Sequence, residues 1–341
     1  MAETSTPGAN HATATALARA NVALVKYWGK RDEKRNLPAV GSISLTLDGL
    51  KAVASVTLAS PGTRPRFRHG GAEVTGVAGE RMARFLDRLT GESAKVEACV
   101  DVEASFPVGA GLASSAAIYC AVTAATLSAL DRRVDLVTLS GLAREGSGSA
   151  ARSVFGGFVE WRRGEAEDGS DSTAYQLLPE SAWDVAMLVA ITSEAMKRTA
   201  SRDAMAHVAA TSPLYRGWLD AQEEDLAAMR RAIAERDLET VGRIAEENCL
   251  RMHATSFAAR PPVFFWSPAT LAAMDAVRRT RDEGIGCWFT IDAGPQVKVL
   301  CAARDADAVA ERLRAVPGVL RVLRCAPGAG VEMKQGAAPW R

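Results

Sequence analysis

Four stretches of this 341-residue chain carry residue types and spacings suited to chemistry. The first is Phe106-Pro107-Val108-Gly109-Ala110-Gly111-Leu112-Ala113-Ser114-Ser115-Ala116-Ala117. An apolar run through Ala104 here meets a glycine turn, two hydroxyls and a long alanine-rich stretch. Gly109 and Gly111 permit positive φ and let the backbone approach a ligand closely. The unpaired N–H groups of a helix start, at the positive end of its dipole, favour a phosphate. Ser114 and Ser115 can hydrogen-bond phosphate oxygens or a bound Mg²⁺. A serine-capped helix after a tight turn has the same composition. Neither the Walker pattern nor the dinucleotide GxGxxG is present.

The second stretch runs from Asn21 through Val25 into Lys26-Tyr27-Trp28-Gly29-Lys30-Arg31-Asp32. Cations at a strand end around a glycine suit a polyanion; an exposed basic turn with a structural Trp is the plainer reading. The third is Gly146-Ser147-Gly148-Ser149-Ala150-Ala151-Arg152-Ser153, followed by Phe155-Gly156-Gly157. Its small hydroxyl residues donate without crowding, and Arg152 offers a fork that matches carboxylate or phosphate. The fourth, Phe289-Thr290-Ile291-Asp292-Ala293-Gly294-Pro295, ends an apolar run on a carboxylate. A half-buried carboxylate is paired with a cation or works as a base, although Asp before a turn also serves as a local cap.

These stretches need elements to hold them. Alternating or β-branched apolar runs predict strands over 51–58, 95–104, 184–192, 287–291 and 296–301. A helix is expected over 115–130 and another over about 268–281. Leu226, Met229 and Ile233, then Leu238, Val241 and Ala245, recur three and four apart, which marks amphipathic helices. Strands dominate the first hundred residues, helices lead through the middle and strands return near the end. The order implies an α+β fold of antiparallel sheets with helices packed on them, not a βαβ alternation. The charged stretch 163–171 reads as a loop or hairpin tip. A boundary within 175–190 gives lobes over 13–183 and 184–341 with a cleft between them, after a disordered tail over 1–12.

Lys plus Arg number 41 against 40 Asp plus Glu, a formal net charge of +1, which argues against nucleic-acid or polybasic membrane binding. With 48% hydrophobic and 24% charged residues the composition is that of a globular protein. No run reaches the ~18 apolar residues of a membrane span. The small, polar first dozen residues do not resemble a signal peptide, so a cytoplasmic location is expected. The 6 cysteines form no CxxC pair and the 4 histidines are scattered, so no metal-ligand spacing emerges.

Taken together and in this order, the four stretches resemble the GHMP kinase superfamily, and within it the mevalonate diphosphate decarboxylases. Asn36-Leu37-Pro38, Ser42-Ile43-Ser44 and Met252-His253-Ala254 before Pro261-Pro262 extend the match. The resemblance implies a two-lobed GHMP kinase-like fold with its active site in the cleft, and ATP-dependent decarboxylation of mevalonate 5-diphosphate to isopentenyl diphosphate. A relative that takes the 5-phosphate, or one that phosphorylates the 3-hydroxyl without decarboxylation, is the alternative.

By that resemblance Asp292 would orient or deprotonate the 3-hydroxyl, Lys26 would stand beside it, and Arg152 would bind the substrate carboxylate. Tyr27, Lys30, Ser147, Ser149, Ser201 and Arg202 would fix the diphosphate. Trp28, Gly29, Arg81, Gly148, Ala150, Ala151, Met205 and Thr211 fall at further substrate-binding positions. Gly109, Ala110, Gly111, Leu112, Ala113, Ser114 and Ser115 would cradle ATP with Mg²⁺, and no protein metal site is expected. Relatives are often homodimers. Three departures stand out: Ala39-Val40-Gly41 replaces a polar segment, which removes polar side chains close to the expected site; Ile118 replaces a small residue, and Ala204 a glycine.

Overall fold

The computed structural model describes residues 12–59, 66–91, 97–106, 111–195 and 199–335. The first half contains β1 (Thr13–Val25), β2 (Lys30–Asp32), β3 (Leu37–Pro38), β4 (Ser42–Ala59), β5 (Arg66–His69) and β6 (Ala72–Glu73). Next come α1 (Gly76–Thr90), β7 (Glu97–Ala104), α2 (Ser114–Ala129), α3 (Leu136–Gly146), β8 (Phe158–Trp161) and β9 (Ala174–Leu178). The second half contains β10 (Val185–Ile191), α4 (Ser201–Thr211), α5 (Tyr215–Asp220), α6 (Gln222–Glu235) and α7 (Leu238–Phe257). It ends with α8 (Pro268–Asp282), β11 (Cys287–Thr290), β12 (Val297–Ala302), α9 (Ala306–Arg314), β13 (Arg321–Cys325) and β14 (Glu332–Gln335). This is an α+β fold.

The larger sheet runs β14-β1-β4-β7-β5-β6, with β8 pairing the start of β4 and β9 pairing β8. The pairing of β5 with β7 is parallel, an exception to the antiparallel pattern. Ala16, Ala18, Ala20, Val22 and Leu24 alternate along β1 and share one apolar cluster with Ala117, Ala121 and Ala124 of α2. Alanines on both surfaces allow the helix to lie close to the strand. Because α2 is apolar on nearly every side, it is buried rather than amphipathic.

The smaller sheet runs β11-β12-β10-β13. Strand β10 is buried on both faces: Val185, Met187, Val189 and Ile191 enter the large cluster, while Ala186, Leu188 and Ala190 enter a second one with α8 and α9. Side chains alternate across a strand, so a run covered on both faces must be continuously apolar. The last strand, β14, returns to pair with β1.

The expected strands correspond to β4, β7, β10, β11 and β12, and the expected helices to α2, α6, α7 and α8, with ends that overrun some of them by a residue; residues 95 and 96 of one expected strand lie outside the described residues. Strands do dominate the first hundred residues, and α1 is an addition that the reading did not place. That helix turns Met82, Phe85, Leu86 and Leu89 inward at the three- and four-residue spacing of an amphipathic helix, a local signal, although its N-cap Thr75 makes no side-chain cap. The charged stretch 163–171 joins β8 to β9 as a hairpin. Residues 1–11 of the expected tail lie outside the described residues.

Candidate active site

Two strand ends and one helix bring the principal charges together. The register of β1 against β4 shifts between Ala23 and Val25. The Ala23 carbonyl accepts from the Lys26 Nζ at 2.8 Å instead. The Lys26 backbone N–H donates to Asn248 Oδ1 on α7 at 2.8 Å. On the same helix, the next residue, Cys249, accepts through Sγ from the Ile291 N–H at 3.1 Å, and one turn further the His253 ring lies 3.4 Å from the Ile291 carbonyl. Helix α7 therefore fixes both the end of β1 and the turn that carries Asp292.

Asp292 sits between two buried lysines. Lys26 Nζ donates to Oδ1 at 3.1 Å, and Lys298 Nζ lies 3.2 Å from Oδ2. Both lysines are 1% exposed. Lys298 takes at most one of the two lone-pair directions of Oδ2, so that oxygen retains an acceptor direction. Burial pushes the Asp292 carboxyl up, but Lys26 and Lys298 together outweigh it and hold the group well below the usual carboxylate range. Burial pulls Lys298 below its ordinary value, and Asp292 opposes that pull.

Facing the pair, Arg152 is 3% exposed and donates through Nε to Asn21 Oδ1 at 3.1 Å and through Nη1 to Ser42 Oγ at 2.6 Å. Burial lowers its pKa to about 10, with Asp292 and Tyr27 resisting. The guanidinium is held rigidly from one side and stays charged at neutral pH.

These residues line a cavity of about 390 Å³. Lys26, Tyr27, Trp28, Lys30, Arg81, Gly111, Ala113, Ser114, Ser115, Ser147, Gly148, Ser149, Arg152, Ser201, Arg202, Met205 and Asp292 all reach it. Gly111 and Ala113 have φ of 86° and 56°, and α2 begins at Ser114 directly afterwards. Ser147 Oγ donates to Ser115 Oγ at 3.2 Å, joining the third stretch to the first. Tyr27 Oη and Trp28 Nε1 are buried without a partner among the described residues. Burial pushes the Tyr27 hydroxyl well above its usual range, against the nearby Arg202. Such groups at a cavity wall are suited to a polar ligand.

Other expected residues lie elsewhere. Ser201 lines the cavity at the start of α4, but Thr211 is ten residues on, ~15 Å along the helix at 1.5 Å per residue. Its hydroxyl bonds the His207 carbonyl and the Arg260 N–H, so Thr211 does not reach the cavity. Ala150 and Ala151 are fully buried and Leu112 anchors the large core. Gly29 is needed for close approach: at φ 97° an added Cβ would strike Tyr215 Oη. Gly109 and Ala110 lie outside the described residues.

None of Ala39, Val40 and Gly41 lines this cavity, but the segment lies close behind its wall. Val40 packs with Trp28, Met205 and Trp218, and Gly41 lies against Leu226 and the Trp161 carbonyl. Sequence reasoning missed Lys298, Asn21, Ser42 and Asn36 as site residues. Asn36 has φ 52°, accepts from Arg202 Nη2 at 2.7 Å and donates to the Glu145 carbonyl at 2.7 Å. A lysine inside the apolar run Val297-Lys298-Val299-Leu300 was the available signal, because lysine is almost never fully buried unpaired.

A helix start opening from left-handed backbone, facing a carboxylate within an α+β fold built on two large sheets, defines a protein of the GHMP kinase-like architecture. The chain belongs, within it, to the diphosphomevalonate decarboxylases: the family model for the diphosphomevalonate decarboxylase-like N-terminal domain matches residues 18–174, and that for the mevalonate 5-diphosphate decarboxylase C-terminal domain matches 187–323. It is 34% identical to the diphosphomevalonate decarboxylase of Gibberella zeae over 316 residues, covering 87% of this chain and 82% of that one. The mevalonate diphosphate decarboxylase structure from Staphylococcus aureus superposes with a TM-score of 0.90 at 35% identity, covering 95% of this chain and 98% of that one. A structure of MDDEF in complex with MVAPP, AMPPCP and magnesium gives a TM-score of 0.90 at 37% identity, covering 96% of this chain and 100% of that one.

Proposed function

We propose that this chain converts (R)-5-diphosphomevalonate and ATP to isopentenyl diphosphate, ADP, phosphate and CO2. The observation that carries the reading is the Asp292 carboxylate, clamped between Lys26 and Lys298 at the cavity wall with acceptor capacity left on Oδ2. The 3-hydroxyl donates to Asp292, which directs the oxygen lone pair at the γ-phosphorus. Two ammonium groups make this carboxylate a weak base, so it orients first and takes the proton only as the phosphoryl group transfers. Lys26 offsets the negative charge that develops there. The new C3 phosphate then leaves with the C3–O electrons, the C1–C2 bond breaks to release CO2, and its electrons form the C2=C3 double bond. Arg152 holds the carboxylate in line for that cleavage.

Lys30, Arg202, Tyr27, Ser147 and Ser149 bind the diphosphate, while Gly111 through Ser115 seat the ATP phosphates at the start of α2. The left-handed Gly111 and Ala113 leave that helix start open to the cavity, which fits a polyphosphate. The Ser114 and Ser115 hydroxyl oxygens would be the side-chain ligands that hold Mg²⁺, which when bound neutralises phosphate charge. In the same reading, 13–183 and 184–341 act as two lobes, and the enzyme is a cytoplasmic homodimer. Support for the location is that the cysteines of the described residues are all unpaired and that no helix there is long and apolar enough to cross a membrane.

The test is turnover with ATP and Mg²⁺ on mevalonate, its 5-phosphate and its 5-diphosphate. ADP release with the diphosphate alone is expected. A preference for the monophosphate would replace the substrate, and light scattering of the purified protein checks the dimer.

A further inference from the structure

Lys298 occupies a strand position whose neighbours Val297, Val299 and Leu300 are all buried. Its Nζ reaches two functional parts at once: it lies 3.2 Å from Asp292 Oδ2 and donates to the Gly111 carbonyl at 3.0 Å. Lys26 alone grips only Oδ1, and the terminal torsion of a carboxylate is broad. A second cation on Oδ2 removes that freedom without filling the acceptor direction left for a hydroxyl. At the other end, Gly111 turns with φ 86° into the start of α2, and its buried carbonyl needs a donor. One ammonium therefore ties the acceptor-orienting carboxylate to the turn that leads into the phosphate-facing helix.

We propose that Lys298 is a positioning residue that sets the Asp292 carboxylate and the Gly111 turn in a single register, so that seating of ATP and alignment of the 3-hydroxyl are fixed together. The inference rests on the roles proposed above for Asp292 and for the start of α2. Lys298 touches neither substrate itself and acts through both contacts.

The test is Lys298→Met, which keeps the volume and removes the charge, with Lys298→Gln as a second variant that keeps a donor. For Lys298→Met, kcat falls ~10- to 100-fold, the range associated with loss of alignment at a reacting centre. The KM for the diphosphate stays within about threefold while the KM for ATP rises, because only the glycine turn is loosened. Lys298→Gln retains more of the ATP affinity than Lys298→Met. In an Asp292→Asn background the Lys298→Met change costs kcat little, since the group it positions is gone. An equal loss in both backgrounds, or a Lys298→Met enzyme within about threefold of wild type, overturns the proposal. If wild type itself fails to release CO2 from the diphosphate, the functional reading falls. The affinity of Lys298→Met for a non-hydrolysable ATP analogue, measured by calorimetry, then still decides the link to Gly111: unchanged affinity overturns it.

Discussion

Two groups of cations face the same cavity and are held in opposite ways. Around Asp292, Lys26 and Lys298 are buried and bound to a carboxylate and to backbone carbonyls that cannot leave. At the other end, Lys30 pairs at 2.6 Å with Glu33, whose side chain is 56% exposed, and Arg202 rests on the neutral Asn36 amide. Burial lowers the Lys30 pKa while Glu33 supports it. The first group is set before any ligand arrives, which is what a reacting centre requires. In the second group the partners can exchange for phosphate oxygens without leaving a buried charge exposed. Chemistry and binding are thus separated in space, and the variants below address one side each.

The largest effect is expected at the fixed end. Asp292→Asn keeps a side chain of the same shape but loses the charge, and turnover should drop ~10³-fold, within the range for a positioned acid–base group. Diphosphate binding should remain close to wild type. A variant with near-normal turnover would remove Asp292 from the chemistry.

At the exchangeable end, Arg202→Met should raise the KM for the diphosphate ~10-fold or more, the cost of one charge-assisted hydrogen bond. Its kcat should stay within about threefold. A fall in kcat with unchanged KM would show that the division between the two ends is false.

The fixed end also predicts a pH dependence of stability. Burial, then the charge of Lys26, lowers the His253 pKa to about 3. The folded value lies below the unfolded value of ~6.5, so the unfolded chain takes up the proton first. The stability contributed by neutral His253 is therefore complete above ~6.5 and is lost as pH falls toward the folded value, at ~1.4 kcal/mol per pH unit. Urea unfolding of wild type and His253→Gln at pH 7, 6 and 5 checks this: wild type should lose stability more steeply. Parallel losses in the two proteins would place His253 in contact with a compensating charge.

The smallest effect is expected for Glu33→Gln, which removes a competitor for Lys30. The KM for the diphosphate should fall ~2- to 3-fold at low salt and less at high salt, as for an exposed ion pair. A rise in KM would make Glu33 part of the binding site.

Most of this site is legible in the sequence because its parts are local. A glycine turn before a helix, cations at the end of a strand and a carboxylate at a turn each announce themselves within a dozen residues. What escapes is nonlocal. Lys298 reads as a polar residue in a short strand until β12 is paired with β11 and β10 on either side and brought beneath Gly111. Asn36 acquires its role through Arg202, 166 positions away in the chain. Helix α1 is the exception, a local signal passed over: Met82, Phe85, Leu86 and Leu89 recur three and four apart. Thr211 was misplaced for the converse reason: it shares a segment with Ser201, but the helix carries it away from the cavity.

The central claim is that one cavity couples phosphoryl transfer at Asp292 to carbon–carbon cleavage beside Arg152. It is tested most directly by following ADP and CO2 together while the purified protein turns over mevalonate 5-diphosphate with ATP and Mg²⁺. We expect one CO2 for each ADP from the first turnover onward. ADP released without CO2 would contradict it, leaving a kinase in which Arg152 does not hold the substrate carboxylate.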